Sequence, residues 1–230
     1  MHRFTEKFVE YCERELDFRK SVVYGYKSLS VCIIDCVYSL RARYYETTIP
    51  VVDRYAEHFM EGNKYGSAAA RNIPFAMGAD WRSGIDGVGG TAKFADLLKN
   101  HQKIGGKIQI PKAEVCYQLA KYLKYLHIDT IEEFREFEST ELLEIVIRAV
   151  KGMGNAGVNY LFMLTGDSDR CKPDVHLHHC IADACGCDVS DEECQILLTD
   201  AVKMLNSKYP NMTVRDLDGV IWNKYRDMKK

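Results

Sequence analysis

Residues 141–166 read ELLEIVIRAVKGMGNAGVNYLFMLTG, two apolar segments of helical periodicity separated by Gly152-Met153-Gly154. Two glycines on either side of one apolar residue let the backbone reverse sharply while Met153 packs inward. The segment therefore predicts two helices joined by a tight hairpin, with the second helix beginning at about Asn155. A generic antiparallel helix pair with a glycine turn would carry the same pattern.

The same helical periodicity extends over most of the chain. Apolar residues recur at helical spacing, as at Phe8, Cys12 and Leu16, whereas two-residue alternation is nearly absent. Signals for helix starts occur at Pro50, Pro111, Thr130 with Glu133, and Ser139. We predict an all-α fold of about ten helices, with residues 1–230 forming one domain of two lobes. The glycine-rich stretch around residues 70–98 is expected to connect the lobes.

Composition excludes several classes of protein. The chain has 230 residues, 31 Lys+Arg against 33 Asp+Glu, and 47% hydrophobic residues, which is an ordinary globular balance and not that of a disordered protein. Its longest apolar stretch, Leu29–Leu40, contains Asp35 and is shorter than the roughly 20 residues of a membrane span. The nine cysteines lack a disulfide-framework spacing, and the charged start lacks a signal core. We expect a soluble protein of the reducing cytoplasm with no membrane partner.

The net charge of −2 conceals an uneven distribution. Residues 99–124 contain six lysines and one glutamate, and residues 132–144 contain six glutamates and one arginine. The first segment predicts a basic surface able to contact phosphate, and the second an acidic surface. Two ordinary solvated helix faces would have the same composition.

A second notable element is centred on Asp174, eight residues after Gly166. The sequence KPDVH, residues 172–176, stands directly before the apolar-periodic segment VHLHHCIADACG. Asp174 therefore occupies a helix N-cap position, where an aspartate commonly has only a structural role. In the hairpin itself, the N–H groups of Gly154, Asn155 and Ala156 would point outward with the positive end of a helix dipole, which favours a bound phosphate.

Taken together, residues 150–186 (VKGMGNAGVNYLFMLTGDSDRCKPDVHLHHCIADACG) resemble the helix-hairpin-helix (HhH-GPD) DNA glycosylases, the superfamily of endonuclease III, MutY and the alkyladenine glycosylases. The family pattern is a helix, a Gly-apolar-Gly hairpin, a second helix, and an aspartate that opens the next helix. The step from Asp174 to His176 matches the family's V-D-x-H form. The resemblance places the helix-hairpin-helix at about residues 141–166 and the helix of the catalytic aspartate at about residues 173–185.

The resemblance implies hydrolysis of the N-glycosidic bond of a damaged or modified base. It also implies that double-stranded DNA binds in a cleft between the two lobes and that the base is flipped out of the duplex before the bond is broken. Asp174 is the counterpart of the family's catalytic aspartate, which stabilises positive charge on the sugar and can orient water. Upstream, Ser39-Leu40-Arg41 stands where endonuclease III has Ser-Ala-Gln, which makes Arg41 a candidate wedge. The expected DNA contacts are Gly152, Met153, Gly154, Asn155, Ala156, Arg41 and Lys151. The expected pocket residues are Tyr44, Trp81 and His176.

The sequence departs from the family at informative positions. Bifunctional members carry a nucleophilic lysine two residues after the second hairpin glycine, where this chain has Ala156. The resemblance therefore implies a monofunctional enzyme without lysine-dependent lyase activity. Gly157-Val158 also replaces the customary Thr-Ala.

We predict no metal or cofactor at the catalytic site. Four cysteines, Cys180, Cys185, Cys187 and Cys194, have spacings of x4, x1 and x6, unlike the family's C-x6-C-x2-C-x5-C iron-sulfur loop. The relatives imply that hairpin carbonyls could hold a monovalent cation.

Two other functions are open at this point. The first is a non-catalytic DNA-binding module of the same fold that recognises lesions or DNA structure. The second is a helical protein-interaction domain that uses the acidic face of residues 132–144. No pattern in the sequence specifies the excised base or the oligomeric state.

Overall fold

The computed structural model describes residues 1–19, 25–65, 88–107 and 109–227. These residues are predominantly helical, which confirms the all-α prediction. The described helices are α1 (Thr5–Glu15), α2 (Leu29–Ser39), α3 (Ile49–Phe59), α4 (Thr91–Leu97), α5 (Lys112–Tyr125), α6 (Ile131–Glu136), α7 (Thr140–Ala149), α8 (Asn155–Thr165), α9 (Val175–Cys185), α10 (Asp191–Leu205) and α11 (Val214–Asp227). A π-helical turn, Tyr44–Thr48, precedes α3.

The described strands are β1 (Lys103–Ile104) and β2 (Ile110–Pro111). They pair antiparallel, with Lys103 opposite Pro111 and Ile104 opposite Ile110. A two-residue ladder is too short to be stable in isolation, so it depends on the helices against which it packs.

Local signals in the sequence account for several helix starts. Thr130 and Glu133 form the reciprocal capping box that opens α6. The side chain of Ser139 accepts a hydrogen bond from the N–H of Leu142 and so caps α7. Pro50 lies at the start of α3, where its missing N–H costs nothing.

The chain divides into two compact units. The terminal unit combines Met1–Tyr24 with Gly166–Lys230, and the central unit is Gly25–Thr165. Residues 66–87, which include most of the glycine-rich connection expected at residues 70–98, lie outside the described residues.

Helix α2 is the centre of the central unit. All eleven of its residues are buried, and it packs against α3, α5 and α8. The helix is apolar except for Ser30, Ser39 and Asp35, so neighbouring helices cover it on every face. In the described parts of the chain, no helix is both long enough and apolar enough to cross a membrane.

The terminal unit is built from both ends of the chain. Helix α9 packs against α1 and α11, and α10 packs against α1. Their apolar side chains form one core that includes Phe8, Ile181, Leu197 and Leu217. Helix α9 ends at Gly186, whose φ of 76° is the left-handed conformation that glycine adopts at helix ends.

Candidate functional site

A tight turn connects α7 and α8. The N–H of Met153 donates to the carbonyl of Val150 at 3.0 Å, and the Met153 side chain is buried at 4% exposure. Gly152 has a φ of +100°, a conformation that side chains with a Cβ rarely adopt. The Gly-Met-Gly sequence thus forms a hairpin with its central side chain pointing into the central unit.

The two hairpin glycines have different surroundings. A Cβ on Gly152 would lie 2.9 Å from Cγ2 of Ile104 in β1, which is closer than van der Waals contact permits. A Cβ on Gly154 would have no neighbour within 4 Å. Gly152 is therefore required both by its conformation and by the close approach of β1, whereas Gly154 is exposed and open.

The segment that follows α2 lies beside the hairpin. Cδ1 of Leu40 would be 3.3 Å from a Cβ on Gly157, in the first turn of α8. The neighbouring Arg41 is exposed and its Nη1 lies 3.5 Å from the carbonyl oxygen of Gly105, in the loop after β1. The structure therefore brings the predicted wedge residue and the predicted hairpin contacts to one region of the central unit.

The first turn of α8 carries a cationic neighbour that the sequence analysis missed. The guanidinium of Arg148, in the last turn of α7, donates to the side-chain oxygen of Asn155. Gly154 and Lys151 are exposed beside it, and Ala156 is half-buried. The positive end of the α8 dipole favours an anion here, and the guanidinium adds to it the part of its charge that Glu144, with Oε2 at 3.9 Å, does not offset. The sequence did offer a signal for Arg148. Residues just before a tight turn between two helices lie close to the start of the second helix.

The basic segment of residues 99–124 is less uniformly exposed than its composition implies. Lys112 is buried at 2% exposure, and its ammonium donates to the carbonyl of Tyr38 at 3.0 Å and to Oε1 of Gln102 at 2.9 Å. Lys99, Lys103 and Lys107 remain exposed. Lys112 is therefore not part of the expected basic surface. Its hydrogen bonds to Tyr38 and Gln102 hold the start of α5 instead.

Tyr44, a predicted pocket residue, contacts a buried carboxylate. Asp35 is fully buried in α2 and accepts hydrogen bonds from the hydroxyls of Tyr26 at 2.8 Å, Tyr44 at 2.6 Å and Tyr160 at 3.0 Å. These donors offset the cost of removing a carboxylate from water. Burial, followed by the charge of Asp35, raises the pKa of the Tyr44 hydroxyl. The structure thus assigns Tyr44 a role in fixing Asp35, which the sequence analysis did not foresee.

The other two predicted pocket residues have different outcomes. Trp81 lies outside the described residues. His176 is half-buried in the first turn of α9, and its backbone N–H donates to Asp174. His176 and Asp174 are therefore neighbours within the terminal unit.

Asp174 is the N-cap of α9. Its Oδ1 accepts hydrogen bonds from the backbone N–H groups of His176 at 2.9 Å and Leu177 at 3.3 Å. Its Oδ2 lies 4.0 Å from the ammonium of Lys172, and the side chain keeps 20% of its surface exposed. One carboxylate oxygen thus caps the helix, while the other stays in a partly exposed, cationic environment.

The irregular segment of residues 167–174 is attached to α10 and α11. The amide of Gln195 in α10 donates to the carbonyl of Asp169 at 2.7 Å and accepts from the N–H of Cys171 at 3.0 Å. The N–H of Arg215 in α11 donates to the carbonyl of Ser168 at 3.0 Å. Helices that follow Asp174 in sequence therefore position the backbone that precedes it.

Asp218 provides the last of these attachments. Its Oδ1 accepts the backbone N–H of Lys172 at 3.3 Å, and the residue is only 7% exposed. Burial, then the charge of Asp174, raises the pKa of Asp218 well above the usual aspartate range, although Lys172 partly opposes this rise. The sequence analysis missed Asp218. A signal was available, because Asp218 shares the apolar face of α11 with Leu217 and Ile221.

Cys194 lies in a chain of contacts that resembles a nucleophilic site. Its sulfur is 3.8 Å from Nδ1 of His178, whose Nε2 is 3.0 Å from Oδ1 of Asp191. Cys194 is nevertheless fully buried, and burial followed by the charge of Asp191 raises the pKa of its thiol to about 12. The thiol therefore stays protonated near neutral pH and is not an activated nucleophile.

The remaining cysteines pack as small apolar side chains. All nine cysteines are free, and Cys180, Cys185 and Cys194 are buried in the terminal unit. Across the described ranges, no group of three His, Cys, Asp or Glu side chains could hold a metal ion. A monovalent cation at the hairpin carbonyls stays a prediction.

The two hairpin glycines provide a matched test of the turn. We expect Gly152→Ser to lower the free energy of unfolding by about 1–3 kcal/mol, because the side chain meets Ile104 and requires a positive φ. Gly154→Ser should change it by less than about 0.5 kcal/mol, since the position is open and serine is a favourable N-cap residue. Urea unfolding of both variants measures the difference, and equal losses would contradict the assigned geometry.

The raised pKa of Asp218 predicts a pH-dependent stability. Between the ordinary pKa and the raised pKa, the folded protein binds more protons at this group than the unfolded chain, so its contribution to stability falls as the pH rises. Asp218→Asn removes this titration. The free energy of unfolding of the variant minus that of the wild type should therefore increase from about pH 4 to pH 8, by at most about 1.4 kcal/mol per pH unit. Urea unfolding over this range measures the difference, and a flat difference would contradict the prediction.

Comparisons with known proteins show the family of the chain. No curated protein and no solved structure matches the chain. A family described as a domain of unknown function (DUF8548) matches residues 6–226, which is nearly the whole chain. The protein thus belongs to the DUF8548 family.

Proposed function

We propose that this protein is a monofunctional DNA glycosylase of the HhH-GPD type, which hydrolyses the N-glycosidic bond of a damaged or modified base in duplex DNA. The observation that carries the proposal is the order of three local structures along the chain. A tight Gly-Met-Gly hairpin comes first, α8 follows it, and the next helix, α9, is capped by Asp174, a partly exposed aspartate. This order supports a site for the DNA backbone followed by a carboxylate for catalysis.

The hairpin would bind a DNA phosphate. The exposed Gly154 lets a phosphate approach the first turn of α8, where the helix dipole favours negative charge. The guanidinium of Arg148 and the exposed Lys151 add positive charge close to this turn. Arg41, exposed in the segment beside α8, is the side chain that we assign to the space vacated by the flipped base.

Asp174 would stabilise the transition state. Breaking the bond between the base and C1′ leaves the electron pair on the base and positive charge on the sugar, and water then adds to C1′ as a proton is released. The carboxylate oxygen that does not cap α9 can stabilise this charge without loss of the cap. The base leaves with a proton, and the product is an abasic site in an intact strand.

Water is the nucleophile in this proposal because the position of the family's lysine holds Ala156. This residue lies half-buried in the first turn of α8 and has no amine. The proposed reaction therefore ends with hydrolysis and does not proceed through a Schiff base to strand cleavage.

The first experiment tests excision. Purified protein is incubated with duplex oligonucleotides that carry a panel of damaged and modified bases, and alkali then reveals abasic sites. We expect alkali-dependent cleavage at one class of base, with at least a hundredfold loss in Asp174→Asn because a neutral amide stabilises the developing charge poorly. Asp174→Asn keeps an oxygen acceptor for the α9 cap, so the fold should survive.

Asp188→Asn is the matched control, since Asp188 is exposed beyond the end of α9. It should excise at the wild-type rate. Excision retained in Asp174→Asn would refute the assigned mechanism. No excision by the wild type, together with salt-sensitive duplex binding, would favour the non-catalytic DNA-binding module. Absence of both activities would favour a protein-interaction domain.

A second experiment tests the role assigned to position 156. The wild type should form no covalent adduct with damaged duplex when borohydride is present, because Ala156 cannot form a Schiff base. Ala156→Lys places an amine where bifunctional members of the resembled superfamily carry theirs, and we expect it to give a trapped protein–DNA adduct on a gel. Efficient trapping by the wild type would show that another amine is the nucleophile.

A further inference from the structure

Of the contacts that attach residues 167–174 to α10 and α11, the one nearest to Asp174 along the chain is made by the N–H of Lys172. Pro173 has no N–H, so the N–H of Lys172 is the last amide before Asp174 that a neighbouring element can hold. Asp218 of α11 accepts this N–H at 3.3 Å. The carbonyl of Lys172 in turn accepts the N–H of Asp174 at 2.7 Å. The two hydrogen bonds connect Asp218 to the backbone of Asp174 through a single residue.

We propose that Asp218 is a positioning residue for Asp174, because it holds the Lys172 backbone and thereby fixes the Lys172 ammonium relative to the Asp174 carboxylate. This inference rests on the catalytic role of Asp174 in the proposed function. Oδ1 of Asp174 is already held by the first turn of α9, and Oδ2 lies 4.0 Å from the ammonium. Because the Lys172 backbone carries the side chain that ends in this ammonium, holding the backbone limits how far the ammonium can move from Oδ2.

The surroundings of Asp218 support this role. Lys172, Asp174 and Cys171 interact with it from the segment before α9, and Cys194 interacts with it from α10. An apolar residue would suit the buried face of α11 better, so packing alone does not explain a carboxyl at this position. The Lys172 N–H does explain it, since it needs an acceptor away from water.

Asp218 has an acceptor oxygen for the Lys172 N–H in both of its protonation states. Burial and the charge of Asp174 raise its pKa, so the group keeps its proton at pH values where an exposed aspartate is ionised. A protonated carboxyl still has an acceptor oxygen, as does the side-chain amide of asparagine. Asparagine at position 218 should therefore preserve the positioning role, whereas alanine should abolish it.

Single-turnover excision on the best substrate of the panel tests the consequence for catalysis. In Asp218→Ala we expect the excision rate at saturating enzyme to fall by about ten- to a hundredfold, because small displacements of a catalytic group are costly, while the duplex concentration for half-saturation stays within about threefold. Asp218→Asn should stay within about threefold of the wild-type rate. Val220→Ala, which truncates a buried side chain on the same helix, controls for general loosening of α11 and should excise like the wild type.

Amide hydrogen exchange tests the positioning independently of excision. The Lys172 N–H should exchange at least about tenfold faster in Asp218→Ala than in the wild type, and near the wild-type rate in Asp218→Asn and Val220→Ala. Unchanged exchange in Asp218→Ala overturns the inference, as does an Asp218→Asn variant that loses as much excision as Asp218→Ala. If the wild type excises no base, the proposed function fails, and Lys172 exchange alone decides whether Asp218 fixes this backbone.

Discussion

The central unit is organised by the complete burial of α2. A helix whose eleven residues are all removed from water requires neighbours on every side, and α3, α5 and α8 provide them. Burial also requires hydrogen-bond donors inside the core, because the carboxylate of Asp35 in the middle of α2 is removed from water. Tyr26, Tyr44 and Tyr160 supply three hydroxyls, and they connect the loop before α2, the turn before α3, and α8. One buried carboxylate thus joins the segments on either side of α2, each nine residues away, to α8, which is 125 residues away along the chain.

The hairpin between α7 and α8 shows how a backbone constraint becomes a candidate binding surface. Gly152 is needed because β1 packs where a side chain would be, and its positive φ turns the chain so that Met153 is buried. The first turn of α8 then lies open at Gly154, with Arg148 and Arg41 nearby. The same packing that fixes the turn leaves the start of α8 accessible to an anion.

In the terminal unit, the position of Asp174 depends on helices that follow it. Gln195 and Arg215 hold the irregular segment before α9, and Asp218 accepts a hydrogen bond from the N–H of Lys172. An aspartate at position 218 costs free energy of folding, because its carboxyl group is buried and close to the carboxylate of Asp174. A group that is expensive to bury, and that is hydrogen-bonded to the backbone two residues before a candidate catalytic residue, fits a functional arrangement.

The helical class, the capping box at Thr130 and the cap at Asp174 follow from the amino-acid sequence, because they depend on residues close together along the chain. Periodicity and capping chemistry are local, so they can be read without knowing what packs where. The burial of Lys112, the hydrogen bond from Tyr44 to Asp35, and the contact between Asp218 and Lys172, which are 46 positions apart, became visible in the folded chain. These contacts join residues whose separation carries no periodic signal, and their geometry is fixed by helix packing alone.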